Sequence, residues 1–190
     1  MPRRRYLFDP PDRFVAGTVG EPGSRAFFLQ ARDGQRVVSI LLEKVQVAVL
    51  ADRLGELLSE LERRGVPEVI AAVVDPALGA GDTGPLDEPI NEAFRAGSLT
   101  LGWDGSASRI LIEARAQDEN GEVIDPDEDD DDDEDGPDLL RVRITAVDAR
   151  AFVARATRVI ASGRPPCPLC GQPLDPQGHI CPRRNGHYVN

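Results

Sequence analysis

Several residue types are scarce in this chain, and each scarcity argues against a class of protein. Aromatic residues make up 5% of the 190 residues, so a core drawn from the 41% hydrophobic content must consist mostly of Val, Leu, Ile and Ala. No run approaches the roughly 18 uninterrupted apolar residues of a membrane helix, and no apolar run follows the basic N-terminus as a secretory signal requires. These absences predict a cytoplasmic protein without a membrane partner, in which thiols stay reduced.

Catalytic signatures are also missing. The sequence has no GxSxG elbow, no glycine loop followed by Lys-Ser/Thr and no HExxH. GAGDTG at 79–84 is therefore interpreted as a flexible linker. Asp9 and Asp12 of FDPPDRF could serve as acids or ligands, but the neighbouring prolines favour a rigid start to a strand. No catalytic residue is identified, and enzymatic activity stays uncertain, with a non-enzymatic role favoured.

Most of the negative charge lies in one segment. Ten acidic residues fall between Asp125 and Asp135, and without them the formal net charge of −11 becomes −1. A block of like charges repels itself and stays disordered, so residues 118–137 are predicted to be an acidic disordered insertion. Its simplest role is a solvated spacer; contact with a basic partner, or weak binding of divalent cations, is the alternative.

The two halves of the chain resemble each other. Residues 17–34 and 102–117 both contain a Gly-bearing turn, a Ser and an Arg, and an apolar strand that ends on Ala-Arg. Residues 36–61 then match 138–163, first with the alternation of a half-buried strand and then with helical spacing. The matched apolar pairs are Val38 and Leu140, Ile40 and Val142, Leu42 and Ile144, Leu50 and Phe152, Leu54 and Ala156, Leu57 and Val159, and Leu58 and Ile160.

This pattern predicts an α+β fold: two pseudo-repeated strand-strand-strand-helix units packed as one domain, residues 1–163. The units cover about 6–64 and 98–163, and residues 6–17 supply the opening strands of the first. A Gly- and Pro-rich crossing, 65–97, joins them, with a short helix predicted near Ile90 to Arg95. Asp148 is the predicted N-cap of the second helix, because its carboxylate could accept hydrogen bonds from the first-turn amides.

All three cysteines and both histidines lie in the last 24 residues. Cys167 and Cys170 form a C-x2-C pair followed by Gly171, and Cys181 follows after a turn-rich stretch. Two thiolates at that spacing reach one metal, and tetrahedral zinc takes four N or S donors. Residues 164–190 are therefore predicted to be a small zinc-ribbon-like tail, in which a structural zinc replaces the hydrophobic core that so short a segment lacks.

The fourth zinc ligand has two candidates. His179 lies two residues before Cys181, on the same side of an extended strand, and is preferred because it is further from the terminus. His187 forms a C-x5-H loop with Cys181 and is the alternative. A thioredoxin-like redox pair, an iron–sulfur site and unligated cysteines are the competing interpretations; the surrounding prolines and the count of three cysteines argue against the first two.

The strings FDPPDRFVAGTVGEPG, AFFLQARDG, VSILLEKVQVAVLADRL, LGWD and CPLCGQPLDPQGHICPR resemble an uncharacterised family of actinobacterial conserved hypothetical proteins, described as putative repeat proteins. The resemblance covers nearly the whole chain apart from the acidic insertion. It implies no activity, cofactor or catalytic residue. Its repeat character agrees with the internal similarity found in the residues.

Three functions are compatible with these features. A non-enzymatic binding or adaptor module, with a zinc tail that carries Arg164, Arg183 and Arg184 and with a protein partner, is preferred. Direct nucleic-acid binding through that tail is the second hypothesis, although the acidic segment would repel phosphate. An enzyme that uses carboxylates between the two units is the third.

Overall fold

Seven strands form one sheet, accompanied by three helices, in the part of the chain that the computed structural model describes: residues 3–74, 82–117, 121, 136–163, 166–172, 174, 181 and 183. The order across the sheet is β1-β7-β6-β5-β4-β3-β2, which confirms a mixed α+β fold. The strands are β1 (Arg5–Phe8), β2 (Arg13–Val19), β3 (Ala26–Asp33), β4 (Arg36–Leu42), β5 (Glu92–Asp104), β6 (Arg109–Ala116) and β7 (Leu139–Ile144). The helices are α1 (Lys44–Arg63), α2 (Pro67–Val74) and α3 (Ala146–Ala161).

Each half of the chain contains three antiparallel strands and then a helix. Strands β2, β3 and β4 lead into α1, and strands β5, β6 and β7 lead into α3. The two sets meet where β4 and β5 pair in parallel, with Ser39 opposite Glu92 and Leu41 opposite Arg95. The parallel junction is possible because a long connection, residues 43–91, carries the chain back to the start of β5.

The first strand lies at the opposite edge of the sheet from β2, so the prediction that residues 6–17 open the first unit is only half correct. Strand β1 pairs in parallel with β7, with Arg5 opposite Leu139. If the sheet were flat, β1 and β2 would be six strand spacings, or about 29 Å, apart. The chain from Phe8 to Arg13 spans at most about 19 Å. The sheet must therefore curl. Arg36 on β4 bridges the curl by donating to the Leu7 carbonyl at 3.3 Å.

The core lies between the sheet and the helices. Helix α1 buries one face, because its apolar residues recur every three or four positions, and Leu54 at its centre is 0% exposed. Helix α3 brings Phe152 onto Phe14 of β2, with ring centroids 5.0 Å apart. Truncating a fully buried leucine such as Leu54 to alanine costs about 2–5 kcal/mol in proteins of this kind.

Both long helices begin with reciprocal hydrogen bonds between the N-cap residue and the third helical residue. In α3 the N-cap is Thr145, whose hydroxyl accepts from the Asp148 amide at 3.1 Å, while the Asp148 carboxylate accepts from Thr145. The prediction of Asp148 as the N-cap is therefore wrong by three residues. In α1 Glu43 and Gln46 occupy the same two positions. Such a capping box satisfies amides that the helix leaves free.

The crossing between the halves differs from the prediction. Residues 90–95 are not helical: β5 begins at Glu92, and Phe94 and Ala96 alternate into the core at 8% and 0% exposure. The helix of the crossing is instead α2, which begins at Pro67. Proline is favoured in the first helical turn because its missing N–H has no helical acceptor there.

The acidic insertion falls between β6 and β7, at the position predicted from the sequence. Residues 118–120 and 122–135 lie outside the described residues, so the prediction of disorder there is not tested. Among the described helices, none combines the length and the apolar character needed to cross a bilayer.

Candidate metal centre

Three sulfur atoms converge in the C-terminal segment. The Sγ atoms of Cys167, Cys170 and Cys181 all lie within 4.8 Å of one another, and those of Cys167 and Cys181 are 4.0 Å apart. Thiolates on a tetrahedral zinc, each about 2.3 Å from the metal, stand about 3.8 Å from one another. The spacing is too long for a disulfide, and none of the three cysteines forms one. They lie close enough to hold one metal ion.

A tight turn sets the first two sulfurs. The Gly171 amide donates to the Cys167 carbonyl at 2.8 Å, and the Cys167 amide donates to the Gln172 carbonyl at 2.7 Å. Gly171 takes φ +74°, a left-handed conformation that a side chain disfavours. The Leu169 amide points at the Cys167 sulfur, 3.4 Å away. This is the amide-to-sulfur arrangement expected when glycine follows a C-x2-C pair.

The electrostatics of the cluster favour a cation. The Cys170 amide and, against desolvation, the Leu169 amide lower the pKa of the Cys167 thiol. At Cys170 the Gln172 amide acts to lower the pKa, but desolvation and the other two cysteines outweigh it and raise the pKa. Three thiolates at this separation repel one another, and a divalent ion among them would remove that repulsion.

The cluster is shielded from solvent although it belongs to a short segment. Cys167 and Cys181 are each 6% exposed and Cys170 is half-buried, whereas the neighbouring Leu169 is 51% exposed. His179 and His187, the two predicted fourth ligands, lie outside the described residues, as do Arg164 and Arg184. Arg183 is described and is exposed.

The aspartates of FDPPDRF make structural contacts in this fold. The Asp9 carboxylate pairs with Arg143 of β7 at 3.0 Å, and the Asp12 carboxylate accepts from the Gly34 amide at 2.8 Å in the β3–β4 turn. Each carboxylate thereby ties the β1–β2 connection to another strand. This agrees with the interpretation of the motif as a rigid start to a strand.

Two arginines hold residues 82–87 against the sheet, which sequence reasoning missed. Arg155 of α3 donates to the Asp82 carboxylate at 2.9 Å and to the Gly84 carbonyl at 2.8 Å. Arg13 of β2 also binds the Asp82 carboxylate, and it donates to Asp87 at 2.8 Å. Residues 82–84 of GAGDTG are thus anchored rather than a free linker, while 79–81 lie outside the described residues. The sequence does contain a signal for this contact, because Arg155 lies among the apolar residues of α3, and an arginine at such a position indicates a buried polar partner.

This arginine network makes Asp82 a poor general base. The hydrogen bond from Arg13, with a smaller contribution from the Gly84 amide, holds the pKa of Asp82 below its ordinary 3.8 despite partial burial. A base for neutral pH needs the opposite shift. In this structure the Asp82 carboxylate joins residues 82–84 to Arg13 of β2 and Arg155 of α3.

The fold and the site define a mixed α+β protein that carries a three-cysteine cluster able to hold a metal ion. Residues 6–181 match the family described as Protein of unknown function (DUF3090). Because the match covers nearly the whole chain, the protein belongs to that family, which confirms the resemblance to an uncharacterised conserved family. No curated protein and no solved structure matches the chain.

Proposed function

We propose that this protein is a non-enzymatic binding module whose C-terminal segment is ordered by a structural zinc ion. The convergence of the Cys167, Cys170 and Cys181 sulfurs around a glycine turn carries the proposal. Zinc suits this donor set because thiolate sulfurs are among its usual ligands and a tetrahedral site accepts three of them with one histidine. A closed site of three cysteines and one histidine leaves no position for substrate, so the ion stabilises structure.

His179 is the proposed fourth ligand, with His187 as the alternative. His179 is two residues from Cys181, whereas His187 lies beyond residue 181, where the family match ends. With His179 the ligand set is Cys167, Cys170, His179 and Cys181. Residues 164–190 then form a zinc-bound tail on a body of residues 1–163.

Metal analysis of three proteins tests this site. Wild type should contain about one zinc per chain by inductively coupled plasma mass spectrometry. His179→Ala should lose most of that zinc on dialysis, whereas the matched variant His187→Ala should keep it. The reverse pattern would assign His187. Wild-type protein without stoichiometric zinc would overturn the zinc proposal.

A groove between α1 and β5 supports the binding role. It encloses about 330 Å³ and is lined mainly by apolar side chains. Val49 on its rim is 50% exposed, and Leu99 and Leu101 on β5 are half-buried. Apolar side chains grouped at a surface are typical of protein contacts. We propose a protein partner in the cytoplasm, where the reduced thiols fit.

Affinity purification with full-length variants tests the binding role. Val49→Asp places a charge in the groove, Cys170→Ser removes a zinc ligand, and Val19→Asp charges an apolar site on β2 that is 43% exposed. A specific partner should be lost with Val49→Asp or Cys170→Ser and kept with Val19→Asp. Recovery of the same proteins with all four chains argues against an adaptor.

Nucleic-acid binding is a second candidate because Arg183 is exposed next to the cysteine cluster. Fluorescence anisotropy with labelled DNA and RNA oligonucleotides should then show binding that weakens steeply with added salt, because counterions are released. Arg183→Ala should reduce the affinity and the salt slope. Binding that is insensitive to both changes removes this candidate.

We further propose that the two halves are copies of one unit. Strand β3 (Ala26–Asp33) and strand β6 (Arg109–Ala116) have the same length, and both α1 and α3 begin with a capping box. The insertion between β6 and β7 replaces the two-residue turn between β3 and β4. An experimental structure in which β2-β3-β4-α1 does not superpose on β5-β6-β7-α3 would reject the repeat.

A further inference from the structure

A cavity of about 350 Å³ is lined by residues from the end of α3, the start of α1 and the segment that enters β3. Its wall contains two cationic side chains, Arg25 and Lys44, which both approach Gly163. A neighbouring cavity of about 330 Å³ shares Arg25 and Lys44 and adds Glu43 and Arg95. The remaining lining of the first cavity is Gly23, Phe27, Ile160 and Ala161.

The two cationic groups converge on one point. A Cβ atom placed on Gly163 would lie 3.3 Å from Arg25 Nη2 and 3.9 Å from Lys44 Nζ, so the two nitrogens are within about 7 Å of each other. Two cationic donors this close together can both hydrogen-bond one tetrahedral oxyanion, at about 2.8 Å each. Gly163 has no side chain to occupy the space beside them.

Neither cation is neutralised by a carboxylate among the described residues. Arg25 donates to the Ser162 hydroxyl at 3.0 Å and to the Val159 carbonyl at 3.4 Å, both uncharged acceptors. Lys44 has no ion-pair partner in that part of the chain. Glu43, which lines the neighbouring cavity, is paired with Arg95 at 2.6 Å. The cavity therefore carries excess positive charge in a protein whose net charge is −11.

The secondary structure adds to this charge. Lys44 is the first residue of α1, so the positive end of the helix dipole lies at the same end of the helix as this cation. At the C-terminal end of α3, Arg25 donates to the Val159 carbonyl, while the Ile160 carbonyl oxygen lies 3.7 Å from a Cβ placed on Gly163. An anion in the cavity would meet donors from two elements rather than a helix end alone.

One wall of the cavity is apolar. Phe27 is 6% exposed, with the Arg25 guanidinium 5.4 Å from its ring centroid, and Ile160 lies beside it. A cavity of this volume suits a small organic molecule and is too small for a nucleic-acid duplex.

From this geometry we propose that the cavity binds a small phosphomonoester, with the phosphate between Arg25 and Lys44 and the organic group against Phe27 and Ile160. The site is independent of the zinc proposal, since none of its residues belongs to the tail. It would make the body of the protein a receptor for a phosphorylated small molecule.

Isothermal titration calorimetry with three probes tests the ligand class. Phenyl phosphate should bind more tightly than inorganic phosphate, because the ring adds apolar contact, and benzoate should bind weakly or not at all. A labelled oligonucleotide that binds while phenyl phosphate does not would overturn the proposal. So would equal affinity for phenyl phosphate and benzoate.

Three full-length variants locate the site. Lys44→Gln removes one charge at an exposed position and should weaken phenyl phosphate binding by about tenfold or more. Gly163→Val keeps both cations but fills the space between them, and it should also abolish binding. The matched control, Arg53→Gln, removes an exposed cation elsewhere on α1 and should leave the affinity unchanged. Circular dichroism confirms that each variant is folded. Unchanged affinity in both Lys44→Gln and Gly163→Val would refute the site.

Discussion

The Nε–H of Arg155 donates to the carbonyl oxygen of Ala16 at 2.7 Å, joining α3 to the edge strand β2 across 139 residues of sequence. Arg155 is 6% exposed and also binds residues 82–84. A single buried cation thus holds together a helix, a strand edge and the connection between the two halves. The edge of β2 is covered by this arrangement, which protects it from pairing with another chain.

Replacing Arg155 should therefore be costly. Arg155→Met should lower the free energy of unfolding by about 3 kcal/mol, because it removes the buried hydrogen bonds to the Ala16, Asp82 and Gly84 carbonyl groups and leaves Arg13 as the remaining arginine on the Asp82 carboxylate. Arg158, whose side chain is exposed, also donates to the Asp82 carbonyl, at 3.4 Å. Arg158→Met is therefore the matched control, and it should lower the free energy of unfolding by well under 1 kcal/mol. Urea unfolding measures both. Similar values for the two variants would show that burial of Arg155 is not important.

Gly17 and Gly55 should respond oppositely to a methyl group. A Cβ on Gly17 would lie 2.6 Å from the Leu86 side chain, whereas one on Gly55, within α1, would meet nothing within 4 Å. Gly17→Ala should destabilise the protein by about 1–3 kcal/mol through overpacking, and Gly55→Ala should stabilise it by about 0.5–1 kcal/mol.

Hydrogen exchange locates the Gly17→Ala effect. The Asp87 amide donates to the Gln30 side chain at 2.8 Å, so its protection should fall when Leu86 is displaced. An unchanged Asp87 amide would mean that residues 82–87 do not depend on this contact.

The Asp82 carboxylate should contribute to the free energy of unfolding at neutral pH, and this contribution should disappear in acid. The pKa of Asp82 is lowered in the folded protein, chiefly by the Arg13 hydrogen bond, from an ordinary 3.8. A depressed carboxyl pKa contributes stability above the unfolded value, and the contribution disappears as the pH falls through the folded value. Asp82→Asn should therefore destabilise the protein at pH 7, and the difference from wild type should shrink below pH of about 3.8. Urea midpoints measured from pH 7 to pH 2 check this; a difference that grows in acid would contradict it.

Chelation should affect the tail and spare the body. Without a metal, the thiolates of the cysteine cluster repel, and the turn that joins the Gly171 amide to Cys167 loses its support. Protection of the Gly171 amide against hydrogen exchange should fall after treatment with EDTA, and Cys170→Ser should show the same loss without EDTA. Amides in the middle of α1, such as that of Leu54, should keep their protection. Loss of protection in both regions would mean that the tail and the body unfold together.

The features that the sequence predicted correctly depend on local patterns. Alternation at Val38, Ile40 and Leu42 indicates a strand, because successive side chains point to opposite faces. The leucine spacing around Leu54 indicates a helix for the same kind of reason. The sequence predicts the cysteine cluster because the C-x2-C pair of Cys167 and Cys170 is set within one turn and Cys181 is the remaining cysteine of the chain.

The features that were missed depend on residues far apart in the chain. Nothing local in residues 5–8 indicates a parallel partner in β7. Leu86 is buried only because it packs over Gly17, and residues 82–90 have no periodicity of their own. The prediction of a helix at 90–95 is wrong. Phe94 and Ala96 are two residues apart, which is the spacing of a strand, but two apolar residues are too few to identify a strand from the sequence.

The pairing of β1 with β7 has a consequence for how the protein is made. The ribosome synthesises the N-terminal residues first, so β1 cannot pair with β7 until the residues near Leu139 have been translated. Until then the nascent chain can assemble β2, β3, β4 and α1, whose partners are close in sequence. The curled sheet therefore cannot close before β7 has been synthesised, and a chain released earlier leaves β1 without its partner and prone to association with other chains.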